Sequence, residues 1–477
     1  MEHGTVRLSA IHIQNFKNVV DGNLDFCNPR HPHDASVLGL YGQNGSGKTA
    51  LIDAVTLLKL ALSGKQLPLD FAEYINVDAD HADLTYTFDV NTKSGDYTAV
   101  YSLVLTKGIA PQGQNTIQSD LVKEFNAQIS AETLSYSFRS GSRKYRMERL
   151  MDTTEDTAVF TPKNKFRCLI GTGTEISAEL AISRKLTRQS SRSFLFSAEL
   201  LNKIRNHAKS VSEKQKEEYS RHVQLLEALV EYGNFGLFIV STLSSGLISL
   251  KGMPISFKYR EENGRLSLGS IVLPLDSTQV VPETVVSETK KVIDNVNVVL
   301  KQIVPGLTIG IRELEKVSQA DGGIGERIEL VSIKENHKIA LRYESEGIKK
   351  ILSILQLLIV MFNDASVTVA IDELDSGIFE YLLGEILRVI SGYGKGQLIF
   401  TSHNLRPLET IDRGYIAFTT VNPEHRYIRP VNIKNSHNLR SCYFRDIALG
   451  TDGEDVYNPT SNTRIAMAFR EAGEGIE

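Results

Sequence analysis

The segment GQNGSGKT at residues 42–49 constrains the fold of this 477-residue chain more than any other stretch. It matches the pattern of a glycine, four residues, and then Gly-Lys-Thr. The apolar residues 36–41 before it predict a buried strand, and the apolar spacing of residues 50–62 after it predicts a helix. Glycine backbones at such a junction point N–H groups at phosphate oxygens, and the helix N-terminus adds partial positive charge. The segment therefore predicts a phosphate-binding loop.

The last two residues of this loop indicate that its ligands are ATP and Mg²⁺. Lys48 is expected to reach the β- and γ-phosphates, and the Thr49 hydroxyl is expected to bind Mg²⁺. A glycine-rich turn without a ligand is the alternative, but a Lys-Thr pair has no packing rationale at these positions. The predicted nucleotide-binding residues of the loop are Gly42, Gln43, Asn44, Gly45, Ser46, Gly47, Lys48 and Thr49.

Two later strands supply the other groups that ATP hydrolysis needs. The apolar run 366–371 leads into Asp372, which is expected to hold Mg²⁺ through water, and Glu373, which is expected to act as the general base. His403 follows a second predicted strand and is expected to sense the γ-phosphate and orient the attacking water. The predicted catalytic residues are Glu373 and His403, and the predicted metal ligands are Thr49 and Asp372.

A second anion site is possible where the apolar helix around residues 351–362 begins. Ser345 and Gly347 precede this helix, and a serine and a glycine at a helix N-terminus can bind an anion. The alternative is an ordinary capping sequence in which Ser345 is the N-cap. These residues alone leave both interpretations open.

The four motifs NGSGKT, SEGIKK, IDELDSG and TSHN together resemble the Walker A, signature, Walker B with D-loop, and H-loop motifs of ABC-type ATPases. More narrowly, the chain resembles the SMC/RecF/overcoming-lysogenization-defect branch and the compact AAA-family ATPases of bacterial phage-defence operons. In this branch the opening strand typically ends in Asn-Phe-Lys, and here Asn15, Phe16 and Lys17 stand at that point. The branch signature is close to E-S-x-G-x-K, which residues 344–349 fit. The resemblance covers about the first sixty residues and residues 341–420.

The resemblance implies that two copies of the chain sandwich two ATP molecules. Ser345, Gly347 and Lys349 of one copy would then cap the γ-phosphate held by the loop of the other, and Asp375 would report across the interface. Asn15, Phe16 and Lys17 would contribute to the nucleotide site. The resemblance offers only a weak candidate, Gln66, for the glutamine that usually follows Walker A in such proteins.

The resemblance also implies the fold class, an α/β ABC-type ATPase head with a central mostly parallel sheet, an antiparallel β-lobe and a helical insertion. Residues 1–165 and 309–477 would form the two halves of the head, and residues 166–308 a mainly helical insertion. Period-two alternation predicts that residues 83–90 and 97–105 pair as a hairpin. A further hairpin is expected within residues 309–343, with its turn at residues 320–323 or at residues 335–337. Helices are expected near residues 198–232 and 285–304, without the sustained heptads of a long coiled coil.

Composition narrows the partners and the compartment. The net charge of −4 leaves no overall basic field for nucleic acid, although a local basic patch remains possible. Three widely spaced cysteines indicate neither a disulfide framework nor a zinc site and fit a reducing cytosol. The longest apolar run, residues 351–362, is too short to span a bilayer. We therefore expect a cytoplasmic protein with no membrane partner.

Three functions are compatible with these motifs. The first is an ATP-hydrolysing switch of an anti-phage defence system that controls a separate effector, such as a nuclease or toxin. A separate effector is expected because the residues after His403 contain no Asp-x-Asp pair for a TOPRIM nuclease site. The second is a RecF/SMC-like clamp that binds DNA through the basic run Arg184, Lys185, Arg188 and Arg192. The third is a scaffold whose ATPase is vestigial.

Overall fold

The structure, a computed structural model, describes residues 4–26, 36–109, 125–141, 143–241, 252–260, 266–318, 324–335, 337–430, 438–449 and 454–474. The strands are β1 (Thr5–Phe16), β2 (Val19–Asp25), β3 (Ser36–Tyr41), β4 (His81–Thr92), β5 (Gly95–Ile109), β6 (Phe125–Ser140), β7 (Arg143–Lys144), β8 (Glu148–Asp152), β9 (Leu237–Val240), β10 (Gly252–Arg260), β11 (Leu266–Pro274), β12 (Gln279–Pro282), β13 (Leu307–Ser318), β14 (Ile324–Lys334), β15 (His337–Ala340), β16 (Thr368–Ile371), β17 (Gln397–Thr401), β18 (Ile416–Thr419) and β19 (Tyr427–Ile428).

All but one of the α-helices in the described residues follow β8 in the chain. They are α1 (Lys48–Leu62), α2 (Lys163–Leu169), α3 (Thr174–Gln189), α4 (Ala198–His207), α5 (Glu213–Glu231), α6 (Glu283–Ile303), α7 (Glu346–Asn363), α8 (Glu380–Tyr393), α9 (Pro407–Thr410), α10 (Leu439–Leu449) and α11 (Asn462–Glu474). Within the described ranges, no helix combines the length and the apolar character that a membrane span requires.

A mostly parallel sheet lies at the centre, with strand order β19-β18-β3-β17-β16-β9. β3 pairs in parallel with β17 and β18, β17 with β16, and β16 with β9, whereas β19 alone runs antiparallel. All six residues of β3 are buried, as expected for a strand covered on both faces. The carboxyl ends of β3, β16 and β17 therefore meet at one edge, which is where ligands bind in open α/β sheets.

α1 is buried along almost its whole length between this sheet and the antiparallel lobe. Every residue from Ala50 to Leu62 is buried. On one side, the Tyr86 hydroxyl of β4 donates to the carbonyl oxygen of Ala54 at 2.7 Å. On the other side, the ammonium of Lys59 donates to the carbonyl oxygen of Leu237 in β9. A helix that is buried on all sides in this way belongs to the core of the head.

The antiparallel lobe is a sheet of order β2-β1-β4-β5-β6-β7, with β8 also paired to β6. The predicted hairpin is confirmed, since β4 and β5 pair from His81 and Thr106 to Thr92 and Gly95. Gln397 joins this lobe to the central sheet, because its side-chain amide donates to the Leu8 carbonyl and its oxygen accepts from the Leu8 N–H, both at 2.8 Å. The head thus has the predicted parallel sheet and antiparallel lobe.

The segment 166–308 is more mixed than the expected helical insertion. It contains helices α3 to α6, but β9 within it is the outer strand of the central sheet, and β10 with β11 forms a separate two-stranded sheet. Sequence reasoning missed β9 because four apolar residues directly after a helix carry no strand period of their own. The division of the chain into three domains stays a prediction.

The remaining predicted elements lie close to their expected positions. The segment 198–232 forms the helix pair α4 and α5, and α6 covers the helix predicted at 285–304. β13 pairs with β14, and β14 with β15, so residues 309–343 contribute two hairpins where one was expected. The candidate turn at residues 320–323 lies outside the described residues.

Replacing Phe88 with alanine is expected to destabilise the head strongly. Phe88 is completely buried in β4 and packs edge-on against Tyr232, with ring centroids 6.1 Å apart. Its truncation should lower the free energy of unfolding by about 3–5 kcal/mol, because lost burial and an unfilled cavity add together. Chemical denaturation measures the change. Phe469→Ala, at a phenylalanine that is 77% exposed, is the control and should stay within about 0.5 kcal/mol. Equal losses in both variants would contradict the packing described.

Candidate nucleotide-binding and hydrolysis site

The phosphate loop takes the backbone conformation that its glycines allow. Gly45 and Gly47 have φ of +76° and +93°, a left-handed region that other L-residues rarely adopt. Gly42 is required for a different reason, since a Cβ atom there would lie 1.7 Å from the Thr419 hydroxyl oxygen of β18. Ser46 donates from its hydroxyl to the carbonyl oxygen of Gln43 at 2.6 Å, which closes the loop on itself.

Distant parts of the chain hold the loop from outside. The side-chain amide of Asn18 donates to the carbonyl oxygen of Gly45, and the Tyr427 hydroxyl donates to that of Gly47 at 2.9 Å. The Gln43 side-chain oxygen accepts from the backbone N–H of Asn458 at 2.9 Å. None of Asn18, Tyr427 and Asn458 was predicted. Asn18 directly follows the segment 15–17, which was a usable signal, whereas only the fold brings Tyr427 and Asn458 to the loop.

Lys48 is folded back over the loop. Its ammonium donates to the carbonyl oxygens of Gly42 at 2.8 Å and Gln43 at 3.0 Å. Burial lowers the pKa of Lys48, and the nearby carboxylates of Asp372 and Glu373 oppose that change. A phosphate group at the loop would offer this ammonium a full charge in place of two carbonyl dipoles. Thr49, half-buried, follows it in the first turn of α1.

Asp372 and Glu373 are held by one hydroxyl group at the carboxyl end of the neighbouring strand. The Thr401 hydroxyl donates to the buried Asp372 carboxylate at 2.6 Å and accepts from the Glu373 N–H at 2.7 Å. Glu373 has φ of +48°, and its side chain is exposed. Sequence reasoning gave Thr401 no role of its own. Its position at the end of a strand expected beside the acidic strand could have indicated that its hydroxyl contacts Asp372 and Glu373.

His403 and Asp375 are linked within one copy of the chain. One Asp375 carboxylate oxygen accepts from the backbone N–H groups of His403 at 3.1 Å and Asn404 at 2.9 Å. Burial and the Lys48 ammonium lower the pKa of His403, so its ring is neutral near pH 7. Asp375 therefore fixes the loop that carries His403, and its role across a subunit interface stays a prediction.

Ser345 caps α7, which fits the simpler of its two interpretations. Its hydroxyl accepts from the Ile348 N–H at 3.3 Å, and the residue is exposed. Gly347 packs against the turn after Glu373, since a Cβ atom there would lie 2.3 Å from the Gly377 carbonyl oxygen. The Lys349 ammonium forms an ion pair with Glu346 at 2.9 Å. A capped and exposed helix end keeps free N–H groups, so the predicted contact with a second copy's nucleotide remains open.

The segment 15–17 contacts α1, the helix that follows the phosphate loop. Phe16 is completely buried and packs edge-on against Tyr74, so its side chain contributes to the core, and its predicted contribution to the nucleotide site stays a prediction. The Lys17 ammonium forms an ion pair with Asp53 of α1 and lies 3.9 Å from the centroid of the Tyr74 ring. Asn15 and Lys17 both have left-handed backbones, with φ of +54° and +53°. A direct role of these two in nucleotide binding stays a prediction.

The donor set of Thr49 and Asp372 fits Mg²⁺. Hydroxyl and carboxylate oxygens are the ligands this hard cation prefers, and it usually keeps several waters as well. The buried Asp372 carboxylate has the Thr401 hydroxyl as a fixed partner, which would orient it toward such an ion.

Among the described residues, Cys168, Glu218 and His222 form another group that could ligate a metal ion, with one possible ligand atom of each within 4.8 Å of the others. The Lys165 ammonium already lies 2.8 Å from the Glu218 carboxylate and 3.5 Å from the His222 ring. Its charge compensates the carboxylate, so we assign no metal to this group. Cys168 and Cys442 are free and buried, and Cys27 lies outside the described residues.

Comparisons with known proteins show what the chain is similar to. Residues 10–233 match the family model AAA_23, described as an AAA domain. A 62-residue stretch is 42% identical to the DNA replication and repair protein RecF of Deinococcus radiodurans, covering 13% of this chain and 14% of that relative. The chain thus spans only a small part of the length of that relative.

The solved structures that the chain is similar to include SMC heads and RecF. An SMC head bound to the C-winged helix domain of ScpA is 11% identical with a TM-score of 0.39, over 89% of this chain and 98% of that one. The SMC head domain of Thermotoga maritima is 14% identical with a TM-score of 0.36, over 89% and 99%. The recombination mediator protein RecF of the RecFOR pathway is 12% identical with a TM-score of 0.35, over 88% and 98%.

Residues 10–233 are thus similar to an AAA domain, and a short stretch of the chain is similar to RecF. Together with the arrangement of the four motifs, these matches support the resemblance to ABC-type ATPases of the SMC/RecF branch.

Thr401→Val is expected to slow ATP turnover without preventing ATP binding. The substitution keeps the shape of the side chain but removes the hydroxyl that holds both Asp372 and the Glu373 N–H. Turnover should fall about 10- to 100-fold, because a displaced general base loses its alignment. Steady-state hydrolysis and nucleotide-binding assays measure the two effects.

The matched control is Thr289→Val. Thr289 is also completely buried, but its hydroxyl donates only to the Val285 carbonyl in its own helix. This variant should hydrolyse ATP at close to the wild-type rate. A similar loss of turnover in both variants would mean that general destabilisation, not the bridging hydroxyl, is responsible.

Proposed function

We propose that the protein is an ATP-hydrolysing switch that closes as an ATP-sandwich dimer and controls a separate effector in anti-phage defence. The observation that carries the ATPase part is the single Thr401 hydroxyl that holds Asp372 and Glu373 at the sheet edge where the phosphate loop begins. Asp372 and Glu373 are two carboxylates fixed at the sheet edge beside the phosphate loop. This is the position that hydrolysis of a bound phosphate group requires.

Each residue of the site has a separate role in the proposed hydrolysis of ATP. Lys48 binds the β- and γ-phosphates, and Glu373 takes a proton from the attacking water. His403, neutral because of its lowered pKa, accepts or donates a hydrogen bond that orients this water. Mg²⁺, held through Thr49 and Asp372, would neutralise negative charge on the phosphates.

The sandwich is supported by apolar side chains that lie exposed around the signature and the D-loop. Tyr343 is 75% exposed just before α7, and Phe379 is 71% exposed just after Gly377. The segments that carry them meet where Gly347 approaches Gly377, and exposed apolar groups beside such a contact are suited to an interaction surface. A second copy bound here would bring its phosphate loop to Ser345, Gly347 and Lys349 of the first.

A separate effector needs a docking surface, and α11 is the best candidate in the described part of the chain. All residues of this helix from Asn462 to Gly473 are exposed, among them Ile465, Met467 and Phe469. The segment before it is tied to the phosphate loop by the hydrogen bond from Asn458 to Gln43. Nucleotide binding that moves Gln43 would therefore also move the segment that leads into α11. The defence role itself rests on the resemblance to the ATPases of phage-defence operons.

A RecF-like DNA clamp is the second candidate, favoured by the 42% identity of the RecF-like segment. The basic run offers it limited support. The Arg184 guanidinium donates to the carbonyl oxygens of Thr153, Glu155 and Ala158 and pairs with Asp156, so it holds a loop of its own chain. ATP-dependent binding of duplex DNA that weakens steeply with salt would favour the clamp over the switch.

Two substitutions in the site are expected to separate binding from hydrolysis. Lys48→Ala should abolish ATP binding, because it removes the cation that faces the phosphates. Glu373→Gln should retain binding and accumulate an ATP-bound dimer, because loss of the base stalls the closed state. Equilibrium nucleotide binding and light scattering with and without ATP measure the two outcomes.

Lys65→Ala is the control, since Lys65 is exposed and lies beyond the end of α1. It should behave as wild type in both assays. Normal hydrolysis by Glu373→Gln would refute the assignment of the general base. A wild-type protein with no turnover, alone or with a partner, would instead indicate a scaffold with a vestigial ATPase.

The effector hypothesis predicts a dependence on neighbouring genes. Protection of cells against phage should require both this chain and an adjacent gene that encodes a nuclease or toxin, and Lys48→Ala should abolish it. Plating efficiency of phage on cells with the complete and the deleted gene cluster measures this. Protection that is unchanged after deletion of the adjacent genes would contradict a separate effector.

A further inference from the structure

The backbone of Glu373 is fixed from two sides by different parts of the head. Its N–H donates to the Thr401 hydroxyl of β17 at 2.7 Å. Its carbonyl oxygen accepts from the Ser376 N–H at 3.0 Å and from the Lys350 ammonium at 3.3 Å. The residue itself has a left-handed φ of +48°, which a non-glycine residue keeps only when its surroundings determine it.

Lys350 is unusual for a lysine because it is only 4% exposed. Burial lowers its pKa to about 8, and the carboxylates of Asp372, Asp375 and Glu373 oppose this change. The ammonium therefore faces the acidic side of the hydrolysis site from the signature helix. A buried cation is retained at such a position when its charge and its donors are both used.

α7 touches the same turn a second time, one helical turn earlier. Gly347 lies so close to Gly377 that a Cβ atom would approach the Gly377 carbonyl oxygen to 2.3 Å. The first turn of α7 thus contacts the segment 373–377 at both of its ends. The rest of α7 is buried, from Lys350 to Leu358, so the helix moves as a rigid body and its N-terminus cannot shift without displacing this segment.

We propose that Lys350 is a positioning residue that couples the signature end of α7 to the general base Glu373 of the same chain. This inference rests on the proposed ATP sandwich. ATP held by a second copy against Ser345 and Gly347 would set the position of α7, and Lys350 would pass that position to the Glu373 carbonyl. Each site would then hydrolyse ATP efficiently only when the other site is occupied.

A purely structural role for Lys350 is the competing explanation, in which it only balances buried negative charge. The two explanations differ in what they predict for kcat and KM. A positioning role requires loss of kcat with KM for ATP nearly unchanged, since Lys350 lies on the side of the acidic turn and not on the phosphate loop. A structural role predicts loss of both, together with loss of folded protein.

The test compares Lys350→Met, Lys350→Arg and Lys59→Met in the full chain. Lys350→Met should lower kcat about 10-fold or more, change KM less than about threefold, and leave ATP-dependent dimerisation intact. Lys350→Arg keeps the charge and the donors and should recover part of the rate. Turnover of Lys350→Met within twofold of wild type, or parallel loss of kcat and ATP binding, would overturn the proposal.

Lys59→Met is the matched control because Lys59 is also a buried lysine with a pKa lowered to about 8, and its ammonium also donates to a strand carbonyl. Its carbonyl partner is Leu237, on the outer strand of the central sheet. This variant should lose stability in the same way as Lys350→Met but retain kcat.

Hydrogen exchange tests the inference without any turnover. In the nucleotide-free protein, Lys350→Met should increase exchange of the Leu374 and Ser376 amides about 10-fold, and Lys59→Met should not. Unchanged exchange at these amides would overturn the coupling even if the wild-type protein hydrolyses ATP. Absence of turnover in wild type would refute the proposed function, and the exchange result would still decide the role of Lys350.

Discussion

The enclosure of α1 on both sides is the constraint on which the rest of the head depends. Its residues from Ala50 to Leu62 are buried, and the Tyr86 hydroxyl of the lobe is bonded to the carbonyl oxygen of Ala54. A helix held in this way cannot rotate or slide, so the phosphate loop at its N-terminus has a fixed position. The antiparallel lobe therefore contributes to the nucleotide site by holding α1 in place. Few of the residues that face the nucleotide site belong to the lobe itself.

The central sheet adds the chemistry to this fixed loop. Parallel strands end at the same edge, and β3, β16 and β17 end there in the phosphate loop, the acidic pair and the His403 loop respectively. Thr401 links two of these ends with one hydroxyl, and Asp375 links the acidic turn to the His403 backbone. The hydrolysis groups are thus positioned relative to one another before any ligand arrives, which is the arrangement that catalysis by alignment requires.

α7 connects the surface of the head to the hydrolysis site. Ser345 is an ordinary N-cap, and the helix end that it caps is also exposed at the surface beside Tyr343. The interior of the same helix reaches the Glu373 carbonyl through Lys350. A rigid helix with one end at the surface and its side at Glu373, the proposed general base, fits the proposed coupling between two copies of the chain.

The sequence alone determined the local elements and was sufficient to propose the residues of the site. The residues 36–62 fold as the predicted strand, loop and helix, because glycines and apolar spacing act over a few residues. The pairs Lys48 with Thr49 and Asp372 with Glu373 were predicted as site residues for the same reason.

The tertiary structure alone decided which distant groups support them. Asn18, Thr419, Tyr427 and Asn458 reach the loop from up to 415 residues away. It also showed that Phe16 packs in the core and that Leu237–Val240 complete the central sheet, since burial and strand pairing depend on neighbours in space that no local pattern records.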